Sequence, residues 1–130
     1  MSTVVDANVV IAWQTPGHTF HDVAVRLIGE AEPPLVLHEL NLAEVLVGLP
    51  RPSWDSAIDT LTAMGFTFVT TSAVEVAAAR LDTRLRMPDA CVVAAARQMG
   101  AGAVLTLDET LAAAARGAGL AVASDESRPH

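Results

Sequence analysis

Residues 85–115 read LRMPDACVVAAARQMGAGAVLTLDETLAAAA, and this stretch decides the fold class. Pro88 suits the first turn of a helix, where a missing N–H costs nothing. The helix it opens runs to about Met99, and Gly100 and Gly102 end it. Ala103, Val104 and Leu105 then read as a short buried strand. A second helix starts at Asp108 and runs to Arg116, closed by Gly117 and Gly119. Helix, buried strand and helix in quick succession point to an α/β fold, because neighbouring parallel strands need a crossover and a helix supplies it.

The same alternation runs outward to both ends. Thr3, Val4 and Val5 read as a strand ending at Asp6, and Asn8 to Trp13 as the start of a helix that TPGHT breaks. Thr19 to Glu30 places Val23, Ala24, Leu27 and Ile28 at helical spacing. Pro33 and Pro34 precede a second strand, Leu35 to Leu37, and a mostly apolar helix follows from Glu39 to Leu49. Ser53 caps a helix with Trp54, Ala57, Ile58 and Leu61 on one face, and Phe66 to Val69 is a third strand. Ser72 caps a long helix reaching about Arg86. Leu120 to Val122 is a last short strand, and SDESRPH a frayed tail. The expected organisation is one α/β domain over residues 1–123 and a short C-terminal tail over 124–130.

Composition narrows the function classes. The chain has 130 residues, 52% of them apolar, enough for a core and against disorder. No apolar run approaches the roughly 20 residues of a membrane span, so no membrane association is expected. MSTVVDANVV lacks the basic start of a secretory signal, and a single cysteine, Cys91, cannot form an internal disulfide. A reducing, cytoplasmic setting is the expectation. All eight basic residues are Arg. With no Lys there is no P-loop lysine, Schiff-base lysine or receiver-domain lysine. A net charge of -7 argues against nucleic-acid binding unless bound cations offset the acids locally.

Four acids stand out. In an open parallel sheet, ligands bind beyond the carboxyl ends of the strands. Asp6 follows the first strand directly, and Asp108 follows the fourth after Thr106 and Leu107. Asp108 also competes as a simple helix cap. On the helix from Glu39, only Asn41, Glu44 and Gly48 interrupt the apolar surface, as one narrow strip. Glu44 is therefore expected to be more than solvated, since a buried carboxylate needs a partner or a metal. The competing reading is the exposed edge of a half-buried helix. Asp89 sits in the first turn of a helix that is apolar until Arg97, where free N–H groups favour an anion. Four carboxylates suit a hard divalent cation, which takes oxygen ligands. The four His lack the partner spacing of a zinc site and read as surface or capping residues, and Cys91 as a small core residue.

VVDANVVIAW, LHELNLAEVL and the stretch from Leu85 to Ala115 together resemble the PIN-domain nucleases, specifically the VapC-type toxins of bacterial toxin–antitoxin pairs. The resemblance covers essentially the whole chain. It assigns the acidic positions to Asp6, Glu44, Asp89 and Asp108, with Asn8 at a small polar position and Thr106 in a T-x-D arrangement. It implies a parallel five-stranded sheet flanked by helices and RNA cleavage dependent on magnesium or manganese. It also implies a homodimer and inhibition by a cognate antitoxin. Leu111 stands where many relatives place an aromatic, which reads as a packing variation.

The expected chemistry is hydrolysis of RNA phosphodiester bonds, the cation lowering the pKa of a bound water and offsetting charge on phosphate. Asp6 and Asp89 are the first choices as direct ligands, and Glu44 and Asp108 ligate directly or through water. Asn8 and Thr106 hold the ligands in place. Arg80, Arg84 and Arg86 precede Asp89 and are expected to meet RNA phosphate, against the alternative of surface ion pairs with Glu75 or Asp82. A phosphatase of the haloacid-dehalogenase type would need an acid where Asn8 stands, and usually a Lys. A non-catalytic PIN-like binding module and a DNA nuclease on the same fold are the remaining alternatives.

Overall fold

The computed structural model describes residues 1–124. Along the chain it contains β1 (Thr3–Val5), α1 (Ala7–Trp13), α2 (His21–Glu30), β2 (Leu35–His38), α3 (Glu39–Val47) and α4 (Trp54–Ala63). Then follow β3 (Phe66–Val69), α5 (Ala73–Thr83), α6 (Met87–Met99), β4 (Ala103–Leu105), α7 (Glu109–Gly117) and β5 (Val122–Ala123). The five strands form one sheet in the order β3-β2-β1-β4-β5, and every neighbouring pair is parallel. The expected α/β class and five-stranded parallel sheet are therefore what the chain adopts. No helix among the described residues is long and apolar enough to cross a membrane.

Strand alternation builds the two cores. Val5, Leu35, Leu37 and Leu105 point to one face of the sheet, packing with Val9, Val10, Leu27, Ile28, Val45 and Leu61. Val4, Val36 and Val104 point to the other face, packing with Ala79, Val92, Val93 and Leu111. Side chains on a strand alternate between faces, so both faces must be apolar when both are covered. Helix α6 is buried from Ala90 through Ala96. Its alanines let neighbouring backbones approach closely on several sides. Leu111 is fully buried, consistent with its reading as a packing residue.

The strand order reverses at β1. The chain moves outward through β2 and β3, then returns to the other side of β1 for β4 and β5. The carboxyl ends of β1 and β4 thus open onto the crevice where a parallel sheet binds its ligands. Asp6 N–H donates to the Leu105 carbonyl at 2.9 Å, so the residues leaving these two strands stay paired as they enter that crevice.

Several expected boundaries move: α2 starts at His21 rather than Thr19, α3 ends at Val47 rather than Leu49, and two further shifts have a visible cause. The helix from Ser72 stops at Thr83 rather than Arg86, and Arg84 takes a left-handed conformation with φ 61°. The helix end is closed by its own side chains. The Thr83 hydroxyl donates to the Ala79 carbonyl at 2.6 Å, and the Arg80 guanidinium donates to the Leu85 carbonyl at 2.8 Å. Leu85 turns into the second core, which a continuing helix would not allow. The last strand is Val122–Ala123 rather than 120–122, because Leu120 packs against that core and the register with β4 begins at Val122. Ser124, the first residue of the expected tail, is buried, and residues 125–130 lie outside the described residues.

Candidate active site

Asp6 is the most buried of the four candidate acids. It occupies the residue before α1, in extended conformation, where an aspartate commonly caps a helix, yet its side chain makes no cap hydrogen bond. Instead Oδ2 accepts from the Thr106 hydroxyl at 2.8 Å, across the β1–β4 gap. Asp6 is 4% exposed. Burial pushes its pKa up to about 7, with the Thr106 hydrogen bond opposing the rise. The charges of Asp89 and then Glu44 raise it further, while the Ala7 N–H lowers it.

Thr106 is fully buried and serves two acids at once. It donates to Asp6, and its oxygen accepts from the Asp108 N–H at 3.0 Å. Asn8, in the first turn of α1, accepts from the Leu107 N–H at 3.1 Å through Oδ1. These two small polar side chains fasten the segment after β4 to the segment after β1.

Asp89 is half-buried in the first turn of α6. Burial and the Asp108 charge raise its pKa, the Arg86 guanidinium lowers it, and Glu44 raises it. Asp108 is the N-cap of α7, where Oδ1 accepts from the Thr110 N–H at 2.8 Å and the Leu111 N–H at 3.2 Å. The capping role foreseen as its competitor is therefore real, and one carboxylate oxygen is committed to it.

Glu44 departs from expectation. It is exposed, as are Leu40 and Val47 on α3. The helix buries only Asn41, Leu42 and Val45. Apolar residues over most of the helix announced burial, but α3 lies at the rim and presents some of its apolar residues to solvent. The acid is nonetheless not free, since Oε1 accepts from Asn41 Nδ2 at 2.9 Å.

Asn41 is the residue that sequence reasoning left unassigned. It is fully buried, and Nδ2 also donates to the Pro88 carbonyl at 3.0 Å. Its Oδ1 is buried without a partner, which costs about 1–3 kcal/mol. The signal was present as the polar strip of Asn41 and Glu44 at i, i+3 spacing.

The structure therefore brings Asp6, Glu44 and Asp89 within electrostatic reach of one another, with Asp108 joined through Asp89. Among the described residues no three His, Cys, Asp or Glu side chains form a ready-made cation cage. The donor chemistry nonetheless suits a hard divalent ion. Magnesium binds through one or two carboxylates plus waters and substrate phosphate, rather than through an all-protein cage. The donors are all oxygens, one of them on a carboxylate buried at a cost that a cation would offset.

The remaining candidate residues are the arginines, the histidines and Cys91. Arg80 is turned onto Leu85, Arg84 caps α5, and Arg86 stands at the start of α6 beside Asp89. Asp82 pairs with Arg97 at 2.9 Å, not with Arg80 or Arg84. His38 caps α3 by accepting from the Leu40 N–H at 3.0 Å, and its Nε2 meets the Thr71 hydroxyl at 3.0 Å. His18 accepts from the Phe20 N–H at 3.0 Å, and His21 Nδ1 lies 2.9 Å from the Ala12 carbonyl. Cys91 is buried, and burial first and the Glu44 charge second push its thiol up, away from nucleophilic character.

Known proteins share this architecture. The chain resembles the crystal structure of VapC20 from Mycobacterium tuberculosis, described as a sarcin–ricin-loop-cleaving toxin, with TM-score 0.73 and 23% identity over 98% of this chain and 99% of that one. It also resembles a chain of a toxin–antitoxin complex from Klebsiella pneumoniae, with TM-score 0.67 and 22% identity over 85% and 90% of the two chains. A third similar chain comes from VapBC2 of Rickettsia felis, solved with a DNA fragment from its promoter, with TM-score 0.66 and 13% identity over 95% and 98%. No curated protein sequence matches this chain. Residues 3–117 match the family model described as PIN domain. With an acid beyond β1, a second beyond β4 and two more on α3 and α6 around one crevice, the chain belongs to the PIN domain family.

Proposed function

We propose that the chain is a divalent-cation-dependent endoribonuclease, the toxin of a toxin–antitoxin pair. The observation that carries this reading is Asp6, a buried carboxylate held by Thr106 at the switch point of the sheet with Asp89 and Glu44 in electrostatic reach. The resemblance to a sarcin–ricin-loop-cleaving toxin and to chains from toxin–antitoxin complexes supports it. A cognate antitoxin protein and a second copy of this chain are the proposed partners.

Asp6 and Asp89 would hold magnesium or manganese, with Glu44 and the second oxygen of Asp108 bonding to it directly or through water. The ion, when bound, supplies a water of lowered pKa and positive charge against the phosphate. Thr106 keeps the Asp6 carboxylate aimed, because its hydroxyl donates to Oδ2 while its oxygen is held by the Asp108 N–H. Asn8 keeps the loop after β4 in place through the Leu107 N–H. Among the described residues no side chain in the crevice is placed as a covalent nucleophile, and water is the proposed attacking group.

Total cellular RNA is the test substrate, exposed to wild type and Asp6→Ala, each with magnesium and with chelator. Discrete fragments from wild type with magnesium are expected, with at least about a hundredfold loss for the mutant or the chelated protein. Equal cleavage by Asp6→Ala would overturn the site. No cleavage by folded, antitoxin-free wild type would favour a binding role.

Arg80, Arg84 and Arg86 are proposed to contact RNA phosphate. Replacing all three with Gln should weaken RNA binding and reduce the slope of log affinity against log salt by about 0.7 for each single-strand phosphate that an arginine had neutralised. An unchanged slope would place these residues outside the RNA path.

A further inference from the structure

We infer that Asn41 is a positioning residue of the site, a buried amide that ties the Glu44 carboxylate to the start of α6 so that Glu44 and Asp89 face a divalent cation as a preset pair. The inference rests on the cation-dependent reading above.

The geometry is specific to this amide. Asn41 is fully buried on α3, and its Nδ2 donates both to Glu44 Oε1 at 2.9 Å and to the Pro88 carbonyl at 3.0 Å. Pro88 immediately precedes Asp89. One NH2 group therefore joins two of the acid-bearing helices at the acids themselves. Its orientation is forced. Turning the amide over would set Oδ1 against a carboxylate oxygen and a carbonyl oxygen, both acceptors.

Two further observations point to function rather than packing. Oδ1 is buried with no partner, so the side chain sits there at a cost to folding. An apolar residue of similar shape would avoid that cost. Second, Glu44 is exposed, and an exposed glutamate samples many rotamers. A tethered carboxylate loses little freedom when it binds a cation, and that preorganisation appears as affinity. The tether thus explains how an acid at the rim of α3 can act in a site centred on a buried aspartate.

The test is calorimetric titration of the full chain with Mn2+, alongside thermal denaturation in chelator. Asn41→Leu keeps the branched shape and removes both donors. It is expected to weaken Mn2+ binding at least about tenfold while leaving the chelated protein as stable as wild type or more so. Asn41→Ser, a smaller change, should weaken binding in the same direction. In a Glu44→Ala background, adding Asn41→Leu should change Mn2+ affinity less than about twofold, because the carboxylate it positions is gone. Wild-type affinity in Asn41→Leu would overturn the role and leave the cation site standing. A full tenfold effect without Glu44 would also overturn it, since Asn41 would then act by another route. Absence of Mn2+ binding by wild type itself would remove both readings together.

Discussion

Asp6→Asn is expected to stabilise the cation-free protein at pH 8 by up to roughly 4 kcal/mol, while abolishing its stabilisation by magnesium or manganese. The Asp6 carboxyl has a pKa of about 7 in the folded chain against 3.8 as an ordinary side chain. Between those two pH values the folded chain holds a proton that the unfolded chain has released. The stability this group contributes is complete below about pH 4, falls as pH rises through the window and is gone above about pH 7. The raised pKa of Asp89 acts in the same direction. An asparagine carries no charge to desolvate, and its amide oxygen still accepts from the Thr106 hydroxyl. Denaturant unfolding in chelator, from pH 4 to pH 8, reads the effect. Wild type should lose stability across the range, and the mutant should lose much less. A mutant less stable than wild type at pH 8 would mean that the ionised carboxylate anchors β1 to β4 and that its charge is not a burden.

The second large effect is on cation binding itself. A proton and a cation compete for the Asp6 carboxylate, so each cation bound below pH 7 displaces a proton. Apparent Mn2+ affinity should fall about fiftyfold between pH 7 and pH 5, approaching one decade per pH unit at the acid end. Asp89 steepens the fall, because its pKa is also raised. The stabilisation by Mn2+, about 2.7 kcal/mol at a hundred times the Kd, should fade over the same range. In Asp6→Asn the pH dependence should shrink with the affinity. A wild-type profile flat from pH 5 to pH 7 would place the cation on other oxygens.

Much of this was readable from the chain alone. Short, mostly apolar triplets such as Thr3–Val5 and Ala103–Leu105, each followed by an acid directly or within three residues, declared buried parallel strands with Asp6 and Asp108 beyond their carboxyl ends. That inference is sound because strands covered on both faces must be continuously apolar, and an acid just beyond one cannot easily be core. Asn8 and Thr106 entered through the family resemblance, and the fold shows only what they bond to, Leu107 N–H for Asn8 and Asp6 and Asp108 for Thr106. Boundaries were less readable. The break of α5 at Thr83 depends on Leu85 finding a place in the core and on Arg80 reaching its carbonyl, both tertiary events.

The sequence by itself determined the α/β class, the acids and their assignment to strand ends and helices, since these follow from local period and residue chemistry. Only the tertiary structure decided which acids are buried. A helix apolar over most of its circumference does not say which side meets the sheet, so the exposure of Glu44 and the burial of Asn41 depended on how α3 docks against β2 and α6. The raised pKa of Asp6 is likewise a property of the assembled crevice. It arises from desolvation between β1 and β4 and from charges on α6 and α3, brought together from positions 6, 44 and 89 only when the chain is folded.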